Sequence, residues 1–247
     1  MIFGYTLYEI AAMFFIYAFL GWCIEVVYCG LEEGHFINRG FLNGPVCPIY
    51  GAGGVCVILF LTPIKDNIPL LFVGSAVLTS AMELITGYLL NKIFHARWWD
   101  YSDAPFNVGG YICLKFSVIW GFICVALMTF IHPFVMNVIH FVPYRLGIVI
   151  LIVLGAVFIA DIIVTVVAVN SLTKHVRLMS ELGDRIHAVS DGIGESIYDS
   201  AAKLKEKADE LNAEAARYKR ILEAFPKLRF DKYNDQLEKI KNKFIKK

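Results

Sequence analysis

Charged residues are scarce in the first two thirds of this 247-residue chain. Residues 1–169 contain six Lys and Arg and nine Asp and Glu, whereas residues 170–247 contain 17 and 13. Hydrophobic residues make up 57% of the chain and its mean hydropathy is +0.60, well above the values of soluble domains. Several apolar runs approach the ~20 residues that a helix needs to cross a bilayer. The sequence therefore predicts an all-α, polytopic membrane protein.

The chain also lacks the motifs of several common activities. It has no glycine-rich phosphate loop, no dinucleotide-binding fingerprint and no nucleophile elbow. Its six cysteines form no CxxC pair and no spacing with His that suits zinc. The sequence thus predicts no cofactor, no metal and no nucleic-acid partner. Because the N-terminus lacks the basic region of a cleavable signal peptide, we expect the first helix to remain as an anchor.

Two apolar segments share an ordered set of residues. Glu25 precedes Arg39 by 14 residues, and Glu83 precedes Arg97 by the same distance. Each segment then passes through an Asn/Gly/Pro break and closes on an Ile-aromatic-Gly triplet, at residues 49–51 and 119–121. An ordered set of matches at equal spacing is typical of duplication. We therefore predict an internal two-helix repeat.

About five transmembrane helices follow from the apolar runs, and we assign residues 1–169 to a transmembrane domain. Its parts are repeat 1 at about residues 8–62, repeat 2 at about 69–131, and helix 5 at about 145–169.

The predicted span at the end of repeat 1 has the shortest apolar run. Its clean apolar run, residues 49–62, is only 14 residues long. We therefore expect the broken segment 41–48 to enter the membrane with it, where it must be buried in protein or line a wet cavity. Between repeat 2 and helix 5 we expect a connector over residues 132–144, which contains two prolines.

The charges that follow helix 5 predict the orientation. Lys174 and Arg177 lie directly after it, and cytoplasmic flanks of membrane helices carry an excess of Lys and Arg. We therefore expect the tail, residues 170–247, to be cytoplasmic. Since five spans put the two ends on opposite sides, the N-terminus is expected outside the cell membrane.

Three carboxylates fall inside predicted helices that run in the same direction, at Glu25, Glu83 and Asp161. With a rise of 1.5 Å per residue, they lie at similar depths, roughly 21–26 Å from the outer boundary. A carboxylate in the membrane is costly unless it faces a bundle interior or a partner. The sequence therefore predicts a charged cluster that opens to the cytoplasm, with Lys115 near the same level.

The two backbone breaks, Asn43–Pro48 and Pro105–Gly110, are expected to be non-helical and to meet in one polar cavity. Their freed N–H and C=O groups need partners at membrane depth, and interrupted segments at corresponding places in two halves are typical of a transporter binding site. The candidate pocket residues are Glu25, Arg39, Asn43, Glu83, Arg97, Asp100, Asn107, Lys115 and Asp161.

The tail has a different pattern. From Ile197 to Phe225, apolar residues repeat at alternating spacings of four and three, which is typical of a coiled coil. Pro226 interrupts the pattern, and apolar residues resume it from Tyr233 to Phe244. We expect a helical tail that pairs with another helix through residues 197–225, in a homo-oligomer, with a partner subunit or within the chain.

Four motifs resemble a known family. They are GW-x-x-E at Gly21–Glu25, NRGF at Asn38–Phe41, GP-x-x-PIYG at Gly44–Gly51, and R-x-WDYS followed by PFN-x-x-G at Arg97–Gly110. Over roughly residues 10–131 they resemble the bacterial family described as putative ABC-transporter permease, type IV. The resemblance implies a membrane protein with this duplicated core. Because the chain has no ATPase domain, ATP-driven transport would need a separate ATPase.

Three functions remain open at the level of the sequence. The leading one is a permease-like membrane protein with a cytoplasm-facing polar pocket and an unknown substrate. The second is a membrane-embedded enzyme that acts on a lipid or amphiphile at the inner leaflet, with Glu25, Glu83 or Asp100 as base. The third is a membrane scaffold that works through its coiled coil. Transport predicts a path past the carboxylates, an enzyme a lateral opening, and a scaffold no cavity.

Overall fold

The computed structural model describes residues 3–190, 218–230 and 232–244, and these ranges are mostly helical. The longer helices are α1 (Leu7–Glu33), α2 (Pro48–Leu61), α3 (Ile68–Phe94), α4 (Leu114–Ala126), α5 (His132–Phe141) and α6 (Tyr144–Ser190). Two helices follow near the C-terminus, α7 (Lys219–Ala224) and α8 (Asn234–Phe244). The strands are two residues long each: β1 (Ala96–Arg97), β2 (Asn107–Val108), β3 (Ile112–Cys113) and β4 (Arg229–Phe230).

Within the described ranges, four segments are long and apolar enough to cross a membrane. They are Leu7–Leu31, Ile68–Phe94, Leu114–Phe141 and Tyr144–Glu181. The polytopic membrane class is therefore confirmed, with four candidate spans where the sequence suggested about five. The difference lies at α2, which forms the shorter apolar segment Pro48–Ile64 together with one 3-10 turn. The residues just before α2 are not helical, because the Asn/Gly/Pro break extends to Cys47.

Local sequence fixes both ends of α1. At its start, the Thr6 hydroxyl accepts a hydrogen bond from the Glu9 backbone N–H, and the Glu9 carboxylate accepts one from the Thr6 N–H. This reciprocal capping box satisfies two N–H groups that the helix leaves unpaired. At the end, Gly34 adopts a left-handed conformation with φ of 72°, which glycine reaches without steric cost.

Helix α2 runs antiparallel to α1 at close range. A Cβ added to Gly51 would lie 2.6 Å from the backbone oxygen of Phe14, so only glycine fits this approach. Further along α2, the ring of Phe60 packs on that of Phe3 with centroids 5.7 Å apart. Because later residues of α2 contact earlier residues of the chain, α2 brings the chain back to the N-terminal end of α1.

The apolar core of the first unit lies where α1, α2, the start of α3 and the α4–α5 segment meet. Its most buried members include Met13, Val57, Ile58 and Leu71, each with no exposed surface. Outside this core, many large apolar side chains of the candidate spans are exposed. Such exposure suits helices whose surroundings are hydrocarbon rather than water.

The predicted connector over residues 132–144 is wrong for most of its length. The helix continues from α4 through a π-helical segment, Leu127–Ile131, into α5, and only Val142 and Pro143 separate α5 from α6. Pro133 lacks an N–H and its ring crowds the preceding turn of a regular helix. The π segment lies immediately before it and widens the helix there, so the proline is accommodated without a break.

The chain forms two compact units that share α3 and α6. The first comprises residues 1–89 and 99–163, and the second comprises residues 90–98 together with the described residues from 164 onwards. In the second unit, β1 pairs antiparallel with β4, with Ala96 opposite Phe230. The indole of Trp98 is buried there and packs edge to face on Phe225, with ring centroids 4.8 Å apart.

A buried lysine organises the C-terminal end of the second unit. The ammonium group of Lys241, on α8, donates to the backbone oxygens of Pro226 (2.9 Å) and Leu228 (2.6 Å) and to the Glu238 carboxylate (2.8 Å). All three of its donors are thereby used, which is the condition under which a buried charge is tolerated. On the same helix, Leu237 and Ile240 are buried, as the resumed apolar pattern predicted.

The helix that the sequence predicts at residues 145–169 corresponds to α6, which continues beyond the apolar run to Ser190. The coiled-coil prediction falls mainly on residues 197–217, which lie outside the described residues. Of its last members, Leu222 is fully buried on α7, and Phe225 follows the end of that helix.

Candidate functional site

Glu25 lies on α1 and is held by two neighbours. The phenol of Tyr50, on α2, donates a hydrogen bond to its carboxylate, and the Arg39 Nε lies 3.8 Å from its Oε2. About a quarter of the Glu25 side chain is exposed, at 27%. Arg39 also donates to the Cys29 thiol and lies over the ring of Tyr28. The carboxylate is thus both charge-balanced and hydrogen-bonded.

Glu83 lies on α3 and is held differently. The phenol of Tyr101 is hydrogen-bonded to its carboxylate. The Oε2 of Glu83 is buried and has no hydrogen-bond partner among the described residues. No described Lys or Arg of the first unit forms an ion pair with it. Glu83 is therefore the less satisfied of the two helical glutamates.

The two glutamates belong to one cluster. Glu25 lies close enough to Glu83 for their negative charges to repel, and it acts in the same way on Tyr50 and Tyr101. Burial raises the pKa of Tyr101 well above its usual range, and the charge of Glu83 raises it further. Tyr101 therefore stays protonated through neutral pH and remains a donor to Glu83.

Asp161, on α6, binds the broken segment before α2 rather than the glutamates. Its Oδ1 accepts from the Asn43 backbone N–H (3.1 Å) and side-chain Nδ2 (2.8 Å), and its Oδ2 accepts from the Gly44 N–H (2.7 Å). Asn38 supports the same segment, because its Nδ2 donates to the Asn43 carbonyl (2.8 Å) while its Oδ1 accepts from the Trp22 indole (2.8 Å). The freed backbone groups thus find protein partners.

The second broken segment is closed by its own hydrogen bonds. The Nδ2 of Asn107 donates to the carbonyls of Ser102 (3.2 Å) and Ala104 (2.8 Å), and its Oδ1 accepts from the Gly110 N–H (3.2 Å). Asp100 accepts from the Ser102 N–H at 2.9 Å. Strands β2 and β3 pair across the turn. Both broken segments are therefore non-helical, as predicted, and the first ends where α2 begins at Pro48. That the two segments meet in one cavity stays a prediction.

The remaining candidates are Lys115 and Arg97. Lys115 is exposed, and its ammonium lies 5.8 Å from the centroid of the Phe116 ring. Arg97 belongs to β1 of the second unit, opposite Arg229, so its predicted pairing with Glu83 stays a prediction. The described residues contain no group of three or more His, Cys, Asp or Glu that could hold a metal.

Sequence reasoning missed the tyrosines that donate to the carboxylates. Tyr50 and Tyr101 were visible only as parts of the PIYG and WDYS motifs, and nothing in the spacing indicates which helix their hydroxyls reach. It also missed His132, whose ring nitrogens lie 2.9 Å from the Tyr5 hydroxyl and 2.8 Å from the Tyr17 hydroxyl. These hydrogen bonds depend on the distances between helices and loops in space, which the order of residues along the chain does not reveal.

An apolar groove of about 370 Å³ lies between α1, the Gly44–Val46 segment and α6. Its walls are aromatic and aliphatic, with Phe15, Phe19 and Phe158 among them, and Asp161 lies at its edge. Because Asp161 already binds Asn43 and Gly44, the groove offers few polar contacts to a ligand.

Residues 12–166, well over half of the chain, match the protein family described as Putative ABC-transporter type IV. No curated protein and no solved structure matches the chain.

Proposed function

Since the chain belongs to the Putative ABC-transporter type IV family, we propose that it is the membrane-spanning subunit of a transporter. In this proposal the substrate passes a polar site formed by Glu25 and Glu83, which opens towards the cytoplasm. The observation that carries it is the pair of hydrogen-bonded carboxylates on α1 and α3, each with a tyrosine donor and close enough to repel one another. Carboxylates at membrane depth often mark substrate or ion pathways.

We also propose that the site lies between two duplicated halves. Gly51 packs on Phe14, and Gly121 packs on Phe72. Each Phe lies 11 residues before the glutamate of its own helix. A second pair of positions has the same offsets along the chain: Gly54 packs on the ring of Tyr17, and Cys124 lies beside Ser75.

The proposed orientation follows from α2 and the tail. In this arrangement α2 and the broken segment before it make a fifth crossing, which is supported by the return of α2 to the N-terminal end of α1. The N-terminus is then outside and the basic tail cytoplasmic. Because no nucleotide-binding motif occurs in the sequence, ATP would be hydrolysed by a separate subunit, and residues 197–225 are the proposed attachment to that subunit or to a second copy.

A ligand screen on the purified protein tests the site. We expect that compounds which raise the thermal unfolding temperature of the wild type will lose that effect in Glu25→Gln and in Glu83→Gln. Asp66→Asn is the matched control, because Asp66 is an exposed carboxylate outside the candidate pocket residues. The proposal fails if every stabilising compound acts equally on all four proteins. Compounds whose stabilising effect is lost in the two Glu variants and kept in the control are then tested for uptake into proteoliposomes.

A separate measurement tests the ATPase partner. The tagged chain, isolated from its native membranes in mild detergent, is expected to co-purify with ATP hydrolysis activity. If the isolated assembly hydrolyses no ATP while the ligand response is intact, the transport cycle has another energy source.

A further inference from the structure

The two glutamates of the proposed site differ in how their charge is balanced. Glu25 has a guanidinium 3.8 Å away and a tyrosine donor. Glu83 has a tyrosine donor and a buried Oε2 without a hydrogen-bond partner among the described residues. With both carboxylates ionised and Arg39 charged, these three side chains carry a net charge of −1 within a membrane-level site. The carboxylate that lacks a neighbouring positive charge is that of Glu83.

From this asymmetry we propose that Glu83 takes up and releases a proton during the working cycle. The proposal rests on the proposed function, since it names the ion to which that site couples. The proton binds at the unpartnered Oε2 and converts the carboxylate to the neutral acid, while the Tyr101 phenol keeps its bond to the other oxygen. No other bond is made or broken.

Burial is the first physical reason. An ionised carboxylate at membrane depth is costly when hydrogen bonds or a counter-charge do not compensate it. Tyr101 compensates only one oxygen of Glu83. The neutral acid avoids most of this cost, so a proton is the smallest ligand that completes the site, and it needs no cavity around the buried oxygen.

Like-charge repulsion is the second reason. When two carboxylates share a site and only one has a cation beside it, the proton goes to the one without the cation. Arg39 and Tyr50 both contact Glu25, and the charge of Glu25 opposes ionisation of Glu83. The titratable and charged groups that act on this cluster are Glu25, Arg39, Cys47, Tyr50, Tyr101 and Cys113.

Infrared difference spectroscopy of the full chain in lipid vesicles tests the proposal directly. We expect a C=O band of a protonated carboxyl group that loses intensity as the pH is raised. This band should disappear in Glu83→Gln and remain in Glu25→Gln. Asp103→Asn is the matched control, because it removes an exposed carboxylate from the loop that carries Tyr101. Absence of a titrating band in the wild type, or its loss in Glu25→Gln alone, would overturn the proposal.

A second variant keeps the test decisive if Glu83→Gln does not fold. Tyr101→Phe preserves the ring and removes the hydroxyl that stabilises the carboxylate. The band should shift in frequency, and its titration midpoint should move to higher pH by about one unit, the scale of one hydrogen bond to a charged group. An unchanged band would show that the titrating group is elsewhere. Since this readout needs no substrate, a titrating Glu83 in a protein that binds no tested compound would leave the proton site intact and count against the proposed transport.

Discussion

The rings of Tyr50 and Trp120 pack edge to face, with centroids 5.4 Å apart and an interplanar angle of 71°. Each residue directly precedes a glycine on which an earlier helix packs, Gly51 in one case and Gly121 in the other. Contact between corresponding residues is expected where two duplicated halves meet. The Tyr50 hydroxyl also reaches Glu25, so this pair connects the two proposed halves to the carboxylate cluster.

The close approach of α1 and α2 makes Gly51 sensitive to a single methyl group. In Gly51→Ala the new Cβ would lie 2.6 Å from the Phe14 backbone oxygen, which cannot rotate away. We expect a loss of about 1–3 kcal/mol in the free energy of unfolding, as for other overpacked sites. Thermal unfolding in detergent measures it.

The control for this substitution lies on the same helix. Nothing is within 4 Å of a Cβ added to Gly53, and Ala is the better helix former by about 1 kcal/mol. Gly53→Ala should therefore be neutral or slightly stabilising. Equal behaviour of the two variants would contradict the helix packing described above.

The carboxylate of Asp161 is expected to hold the segment before α2 in place. Three N–H donors converge on it, from Asn43 and Gly44. In Asp161→Asn only one side-chain oxygen remains and an NH₂ group faces a donor, so we expect a loss of about 2 kcal/mol. The nearby Cys47 thiol, which is 5% exposed, should become faster to alkylate in a variant that retains it as the sole cysteine. Asp66→Asn, at an exposed site, should not change that rate.

Lys241 should be more important for the second unit than its neighbours of equal charge. Lys241→Met leaves the Pro226 and Leu228 carbonyls without this donor, and a buried acceptor left unsatisfied costs about 1–3 kcal/mol. We expect faster hydrogen exchange across α8. Lys239→Met removes an exposed ammonium from the same helix. If both variants exchange alike, the buried lysine does not stabilise this unit.

The predicted coiled coil of the tail can be tested by substitutions in its apolar repeat. Replacing Leu204 and Leu211 with Lys puts charges at two positions of the apolar repeat, which should abolish helix pairing. Chemical crosslinking of the tail should be lost while the membrane part stays folded. Replacing Lys203 and Glu210, which lie outside the repeat, with Gln is the matched control. Crosslinking that survives the Lys substitutions would show that the repeat is not the contact surface.

The sequence predicted the helical membrane class well, because burying apolar residues in hydrocarbon constrains composition directly. The second repeat was expected to begin at about residue 69, and α3 begins at Ile68. Prolines were a poorer guide. Pro133 suggested a connector, whereas a π segment absorbs it inside a continuous helix. A proline in the sequence does not show whether the neighbouring helical turn can accommodate its ring.

For the candidate residues, too, the sequence predicted one part and the tertiary structure decided the other. That Glu25, Glu83 and Asp161 need partners followed from the sequence, since a carboxylate inside an apolar run is costly without them. Which partners they have is decided by distances between elements. Asp161 binds the backbone before α2 rather than joining the glutamates, and Tyr101 reaches Glu83 from a loop. Equal spacing along the chain could not distinguish these outcomes, because hydrogen bonds depend on separations of about 3 Å in space.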